Sequence, residues 1–422
     1  MSDLAQRLRQ LGVNKGIGEL ASSRQAARAP KRVDQALPPG QQIETPFGVC
    51  FFIEERYPLQ HIHGRAPLSG LLAHDRSAAA QMATVSEEPD GGELPAFDLS
   101  QALFIDTETT GLGQGAGVLA FLIGVGYFEE AAFVLRQYFL RDPAEETAAL
   151  NHLTEWSDAY AGLVSFNGRG FDVPLLRSRC VLSRLRPSIL DRPHLDLLPP
   201  SRRVWRGRFE SCALGSLERH VLGVQRNQDD IMSWLIPDLY RQYLRGGDNG
   251  EMRQVLYHNA VDILSLVTLA EQLCRLFAYP LAEDVDPRER VALARWFEAL
   301  DLPEQAETTY RVALEGWLPI QAQHLALQRL AALLKKQERR PEAVPLWVQW
   351  AMEDEGSVEA HVELAKYYEW HTQELDKALA WTQQALTVVA KWPRGPRRDD
   401  ARSELDHRRA RLETRIMNAQ SG

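Results

Sequence analysis

Cysteine is scarce in this 422-residue chain: Cys50, Cys180, Cys212 and Cys274 lie far apart and make no CxxC pair. That scatter excludes a zinc ribbon or a disulfide-stapled scaffold and suits a reducing compartment. Long apolar runs are also missing. The longest, Gly117 to Phe128, falls short of the roughly 20 residues that a membrane-spanning helix needs. The opening MSDLAQRLRQ holds no apolar core, so no secretory leader and no membrane partner are expected, and a cytoplasmic location is. Lysine is rare, seven against 41 arginines, a ratio that genomic base composition explains. With 45% hydrophobic and 25% charged residues, the chain is an ordinary globular one with room for two or three domains.

The formal net charge of −9 argues at first against nucleic acid, because phosphate binding needs clustered Lys and Arg. The distribution says otherwise. Between Arg177 and Arg208 there are nine arginines and only two acids, Asp191 and Asp196. The first 33 residues are basic as well, with seven Lys or Arg against Asp3 and Glu19. A basic middle is therefore hidden by acidity elsewhere.

Residues 1–95 read as an irregular N-terminal extension with a few short strands, one of them Gly48 to Ile53. Breaker-rich segments flank it at Pro38-Pro39-Gly40 and Pro89-Asp90-Gly91-Gly92. His61 and His63 share one strand face but have no second ligand pair nearby, so packing outweighs metal binding there. From residue 96 to 282 the pattern becomes α/β. Strands are expected at Ala102–Ile105, Val118–Phe128, Ala132–Leu140 and Gly162–Phe166, and helices from Asp142-Pro143 to Tyr160 and from Val173 to Arg184. Residues 283–422 read as helices alone. Three helical pairs, Leu293–Leu314, Leu330–Ala351 and Leu364–Leu386, each place an Ala after the inter-helix turn. Ala306, Ala343 and Ala378 are spaced by 37 and 35 residues, close to the tetratricopeptide period. Such an array offers a concave surface to a protein partner. A charged helix from Arg394 to Gly422 would cap it.

The chemistry begins at F-I-D-T-E-T-T-G-L, residues 104–112. Side chains alternate along a strand, so Asp106 and Glu108 project from one face, about 7 Å apart. Two like charges at the end of a buried strand repel and lose hydration, a cost that divalent cations offset. A second segment, V-S-F-N-G-R-G-F-D, ends a strand at Asn167 and opens a helix at Asp172. Taken alone, Asp172 is an N-cap. In a third, Y-H-N-A-V-D-I-L-S-L, Asp262 interrupts the apolar surface of a helix from Glu251 to Phe277, with His258 and Asn259 on the same face.

Together, and in this order, the three segments resemble the DEDD superfamily of 3′→5′ exonucleases, which have a ribonuclease H-like fold. The stretches H-L-D-L-L-P-P-S-R-R-V-W-R, S-C-A-L-G-S-L-E-R-H-V-L-G and D-D-I-M-S-W-L-I-P-D-L-Y-R-Q-Y-L are similar to bacterial YprB-type proteins, which add tetratricopeptide-like repeats. The resemblance implies a ribonuclease H-like mixed sheet flanked by helices, followed by an all-α tetratricopeptide-like domain. It implies that Asp106, Glu108, Asp172 and Asp262 hold two divalent cations, Mg²⁺ or Mn²⁺. Thr109, Thr110, Gly111 and Leu112 would line the pocket for a DNA or RNA strand end, supported by Asn167 and Phe171. One departure matters. The superfamily has a His five residues before the last Asp or a Tyr four before it, whereas here Tyr257 is at the first place and His258 at the second. On a helix, i−4 lies about 40° around the axis from Asp262 and i−5 about 140°, so His258 is the favoured base and Tyr257 the alternative. A non-catalytic scaffold, or a phosphodiesterase acting on a small nucleotide, would use the same framework differently. The basic stretch 177–208 would track a single strand.

Overall fold

The computed structural model describes residues 37–74, 98–111, 117–227, 230–246, 249–354 and 356–420. Leu112, the basic first 33 residues and the Pro89–Gly92 breaker lie outside them.

The sheet strands are β1 (Gln41–Thr45), β2 (Gly48–Pro58), β5 (Ala102–Thr109), β6 (Ala120–Phe128), β7 (Ala132–Phe139), β8 (Gly162–Ser165) and β9 (His194–Asp196), with β3 (Ile62–His63) and β4 (Ala66–Pro67) forming a separate hairpin. The seven-stranded order is β1-β2-β7-β6-β5-β8-β9. β5 pairs antiparallel with β6 and parallel with β8, so it lies inside the sheet. The irregular extension expected for residues 1–95 needs correction, because β1 and β2 belong to the main sheet, β2 pairing antiparallel with β7 from Phe52 to Pro58. β1 reads QQIET with most side chains exposed, an edge-strand pattern without an apolar period.

α1 (Glu146–Ser157) follows a 3₁₀ turn whose Asp142 carboxylate accepts from Ala144 N at 2.8 Å. Then come α2 (Asp172–Leu182), α3 (Leu198–Trp205), α4 (Leu214–Leu217) running into a π turn at Glu218–Leu222, α5 (Ile236–Leu244) and the 30-residue α6 (Asn249–Ala278). Alternation along β5 divides the core. Ala102 and Phe104 pack with the apolar face of α6, while Leu103 and Ile105 pack with residues of α1, α2 and α5. Full burial of Phe104 alone contributes on the order of 1.5–3 kcal/mol. Asp106 and Glu108 continue the α6-facing row past its apolar part.

Six helices follow as three pairs: α7 (Pro287–Ala299) with α8 (Pro303–Glu315), α9 (Ile320–Lys336) with α10 (Arg340–Glu353), and α11 (Glu359–Trp370) with α12 (Leu375–Ala390). Ala306, Ala343 and Ala378 are fully buried, and Tyr310 and Trp347 are buried beside the first two. The α6-side core runs without interruption from Phe104 through Trp205 and Trp296 into these pairs. Where α3 meets α7, buried Glu289 accepts from Trp205 Nε1 at 2.8 Å and from Arg208. No helix of the described residues is long and apolar enough to cross a membrane.

α13 (Pro396–Gln420) closes the array through one buried carboxylate. Glu369, 0% exposed, accepts from Arg408 at 2.9 Å, Arg411 at 2.8 Å and Arg415 at 3.2 Å. Glu369→Gln leaves three guanidinium groups facing an uncharged amide and should cost about 2–4 kcal/mol. Hydrogen exchange would register this as lost amide protection across 396–420, and unchanged protection there would contradict it.

Candidate active site

Asp106 stands opposite Gly124 in the β5–β6 register, and the missing side chain at Gly124 matters. A Cβ there would come within 2.2 Å of Asn259 Oδ1, so Gly124 lets α6 lie close against the strand. Asn259, fully buried, uses that approach to donate from Nδ2 to Asp106 Oδ2 at 2.8 Å, while its Oδ1 accepts from Gln137 Nε2 at 2.9 Å. A β-bulge follows Glu108 and ends the regular pairing.

Asp172 is the first residue of α2, yet its side chain does not cap that helix. Its Oδ1 accepts from Thr107 N at 3.1 Å and Thr107 Oγ1 at 2.5 Å, which pins α2 to β5 and overturns the N-cap reading. The turn before it depends on two residue types. Asn167 takes φ 65°, a left-handed conformation that Asn tolerates. At Gly168 a Cβ would meet Ser165 Oγ at 2.3 Å. Asp196, at the end of β9, accepts from the backbone N–H of Asn167 at 2.7 Å and Arg169 at 3.1 Å and holds the turn. Thr109 Oγ1 donates to the Gly111 carbonyl at 2.7 Å, and Thr110 Oγ1 accepts from Leu119 N at 3.0 Å, so both hydroxyls shape the loop. Phe171 presents its ring to solvent at 53% exposure beside Asp172.

α6 supplies the remaining groups. Glu108, His258 and Asp262 bring ligand-type atoms within 4.8 Å of one another, a grouping the other described His, Cys, Asp and Glu residues do not match. His258 Nε2 lies 3.6 Å from Asp262 Oδ2 and 4.0 Å from Glu108 Oε1. Its Nδ1 is 2.8 Å from Asp230 Oδ1 and 2.9 Å from Arg226 Nη1. Arg226 can only donate and has Asp230 Oδ1 as its own acceptor at 3.4 Å, so the carboxylate claims the Nδ1 proton. Nε2 is then the acceptor nitrogen; Ser233 Oγ lies 3.2 Å from it, and the Asp262 and Glu108 carboxylates are just beyond. Tyr257 points elsewhere: its hydroxyl accepts from Asn227 N at 3.2 Å in a different cleft, beside His61 and His63. His63 is buried with Nε2 2.8 Å from Ser265 Oγ, in keeping with packing.

Sequence patterns did not reveal Arg226. Its guanidinium bonds Asp262 through Nη2 and clasps buried Glu218 with two 2.7 Å bonds. Arg226 comes from the irregular segment after the π turn, where no periodicity marks it. Asp230 falls in the D-D-I-M-S-W stretch, which did not single it out.

The electrostatics follow from this crowding. Burial, and then the charges of Asp262, Asp172 and Glu108, hold Asp106 well above the ordinary carboxylate range. Burial and the Asp262 and Asp172 charges do the same for Glu108. Burial raises Asp172 to about 6 despite its Thr107 bonds, and raises Asp262 against the opposing pull of Arg226 and His258. Counting Glu218 and Asp230, six acids meet Arg226 as the one permanent cation bonded among them in the described residues. Hard oxygen donors with uncompensated negative charge fit Mg²⁺ or Mn²⁺. Asp106 and Asp262 line a pocket of about 700 Å³ whose walls include Phe166, Asn167, Phe209, Arg202 and Arg206.

Residues 103–274 match the RNase_H_2 family of the RNase H superfamily. Over 358 residues the chain is 32% identical to the uncharacterized protein YprB of Bacillus subtilis (strain 168), an alignment covering 81% of each chain.

A carboxyl whose folded pKa is raised contributes stability below its unfolded pKa that is lost as pH rises through the folded one. For Asp172 the window runs from pH 3.8 to about 6. Without divalent ions, the stability of the wild type relative to Asp172→Asn should therefore fall across that window. Added Mn²⁺ should shrink or reverse the fall. Urea titrations at several pH values measure this, and a flat difference would contradict the raised pKa.

Proposed function

Because the chain belongs to the RNase H superfamily, in a branch it shares with YprB, we propose that it is a metal-dependent nuclease, specifically a 3′→5′ exonuclease on single-stranded DNA or RNA. The observation that carries this reading is the grouping of Glu108, His258 and Asp262 within 4.8 Å of one another, with buried Asp106 and Asp172 near enough for their charges to act on the same acids. Held by those four carboxylates, two Mg²⁺ or Mn²⁺ ions would supply charge stabilisation to the attacking and leaving oxygens of an in-line displacement.

The chain's own groups do the rest. His258 Nε2 takes a proton from water as the water oxygen bonds to the terminal phosphorus and the P–O3′ bond breaks. The departing O3′ takes up a proton from solvent, to which the imidazolium later returns its own. The products are a nucleoside 5′-monophosphate and a strand one residue shorter with a free 3′-hydroxyl. Asp230 fixes the tautomer that leaves Nε2 unprotonated and stabilises the imidazolium that forms. Arg226 holds the Asp262 carboxylate in place. Thr109, Thr110 and Gly111 shape the rim for the strand end, Asn167 sets the turn, and the exposed Phe171 ring gives a terminal base a stacking surface. In the same reading the helical pairs after residue 283 are tetratricopeptide-like.

Strands labelled at the 5′ end should give a shortening ladder in Mn²⁺, and strands labelled at the 3′ end should release labelled mononucleotide first. Asp106→Ala should abolish this while leaving the fold intact. His258→Ala should slow it about 10²–10⁴-fold. Calorimetric Mn²⁺ titration should show two sites that Asp172→Ala disrupts. Undiminished metal-dependent cleavage by Asp106→Ala would sink the mechanism, and absence of saturable Mn²⁺ binding would favour a non-catalytic scaffold.

A further inference from the structure

The arginine-rich stretch 177–208 is not one surface. Arg177 pairs with Asp191 at 2.6 Å, Arg179 with Glu146 at 2.5 Å, and Arg208 with Glu289, while Arg192 donates to the Asp158 carbonyl at 2.8 Å. Those four serve the fold. Arg202, Arg203 and Arg206, on and just after α3, have no carboxylate partner among the described residues. They form one wall of a cleft of about 900 Å³ whose other wall is α7 and α9, carrying Arg295 and Arg329. Arg295 is exposed and likewise without an acid. Glu298 is the one carboxylate in the lining, and it lies 3.8 Å from Arg329 while accepting from the Tyr310 hydroxyl at 3.2 Å.

We propose that this cleft binds the sugar–phosphate backbone of a single nucleic-acid strand, so that the helical array is part of the substrate-binding surface. The proposal rests on the nuclease reading for what happens at the strand's end. Two further observations support it. Arg202 and Arg206 line both this cleft and the carboxylate pocket, so the two cavities adjoin along the end of α3. Arg203 lies over the Trp296 ring at 4.9 Å, where burial and then the Arg295 charge lower its pKa, a mutual repulsion that a polyanion relieves. An acidic protein segment would also answer the charge, but it has no reason to lead into a pocket of carboxylates. A strand whose end is processed there does.

The test uses the full chain carrying Asp106→Ala and fluorescein-labelled single strands of 4 and 20 nucleotides, with binding read by anisotropy across a salt series. The parent should bind the longer strand more tightly. Reversing charge at both Arg295 and Arg329 should remove most of that gain, weakening 20-mer binding about tenfold or more. The double change should also flatten the salt dependence by about 0.7 per lost phosphate contact. Arg397→Glu with Arg402→Glu, exposed changes on α13, makes the same change of net charge and should leave binding as it was. If the double variant melts early, Arg202→Glu on the exposed face of α3 gives the same readout. Unaltered 20-mer binding by a folded variant overturns the proposal. So does displacement of the strand by polyglutamate as readily as by polyuridylate, which would mark a surface for acidic proteins. Arginine-dependent binding, with no cleavage in Mg²⁺ or Mn²⁺ by the chain that keeps Asp106, would fail the nuclease reading and leave the cleft standing, whereas cleavage by that chain with unaltered long-strand binding would do the reverse.

Discussion

Four carboxylates cannot share a protein pocket unaided, and much of this structure answers that constraint. Desolvating an ionised group costs several kcal/mol after relaxation, and each neighbour of like charge adds to it. Asn259 meets part of the cost at Asp106, Thr107 at Asp172 and Arg226 at Asp262. Arg226 is itself held by buried Glu218, Glu218 accepts from Ser265 Oγ at 2.7 Å, and Ser265 contacts His63 of the β3–β4 hairpin at 2.8 Å. A hydrogen-bonded chain thus leads from the pocket to the small hairpin beyond α6. Its buried members are satisfied through one another, so the network is rigid only when complete.

Much of the fold was legible because it obeys simple periods. Alternation along β5 places Asp106 and Glu108 on one face, and the period of α6 places His258 and Asp262 together while turning Tyr257 toward another cleft. The helical pairs were readable from the recurrence of Ala306, Ala343 and Ala378, each of which is buried. Other parts obey no local period. β1 has too few buried positions to alternate, and its place in the sheet is set by pairing with β2. Arg226 and Asp230 reach the pocket from an irregular segment, so only tertiary contact identifies them. Asp172 has a typical N-cap residue type in a plausible place, and a long-range bond to Thr107 prevails over the local one.

Charge was the least readable property. Composition counts arginines but cannot say which ones already have partners, and pairing decides what a charge is available to do. Among the arginines between 177 and 208, some brace helices against neighbouring loops and others face open space. A chain of net charge −9 can therefore carry a cationic cleft, because its acids are spent in ion pairs and in the pocket.

The buried bond between Trp205 and Glu289 joins α3 to α7 within a core that does not stop between them. The passage from sheet to helical array near residue 283 is thus a boundary of composition and not of packing. Cutting there would expose Trp205, Trp296 and their apolar neighbours together. The two halves share one core and are built to fold as a single body.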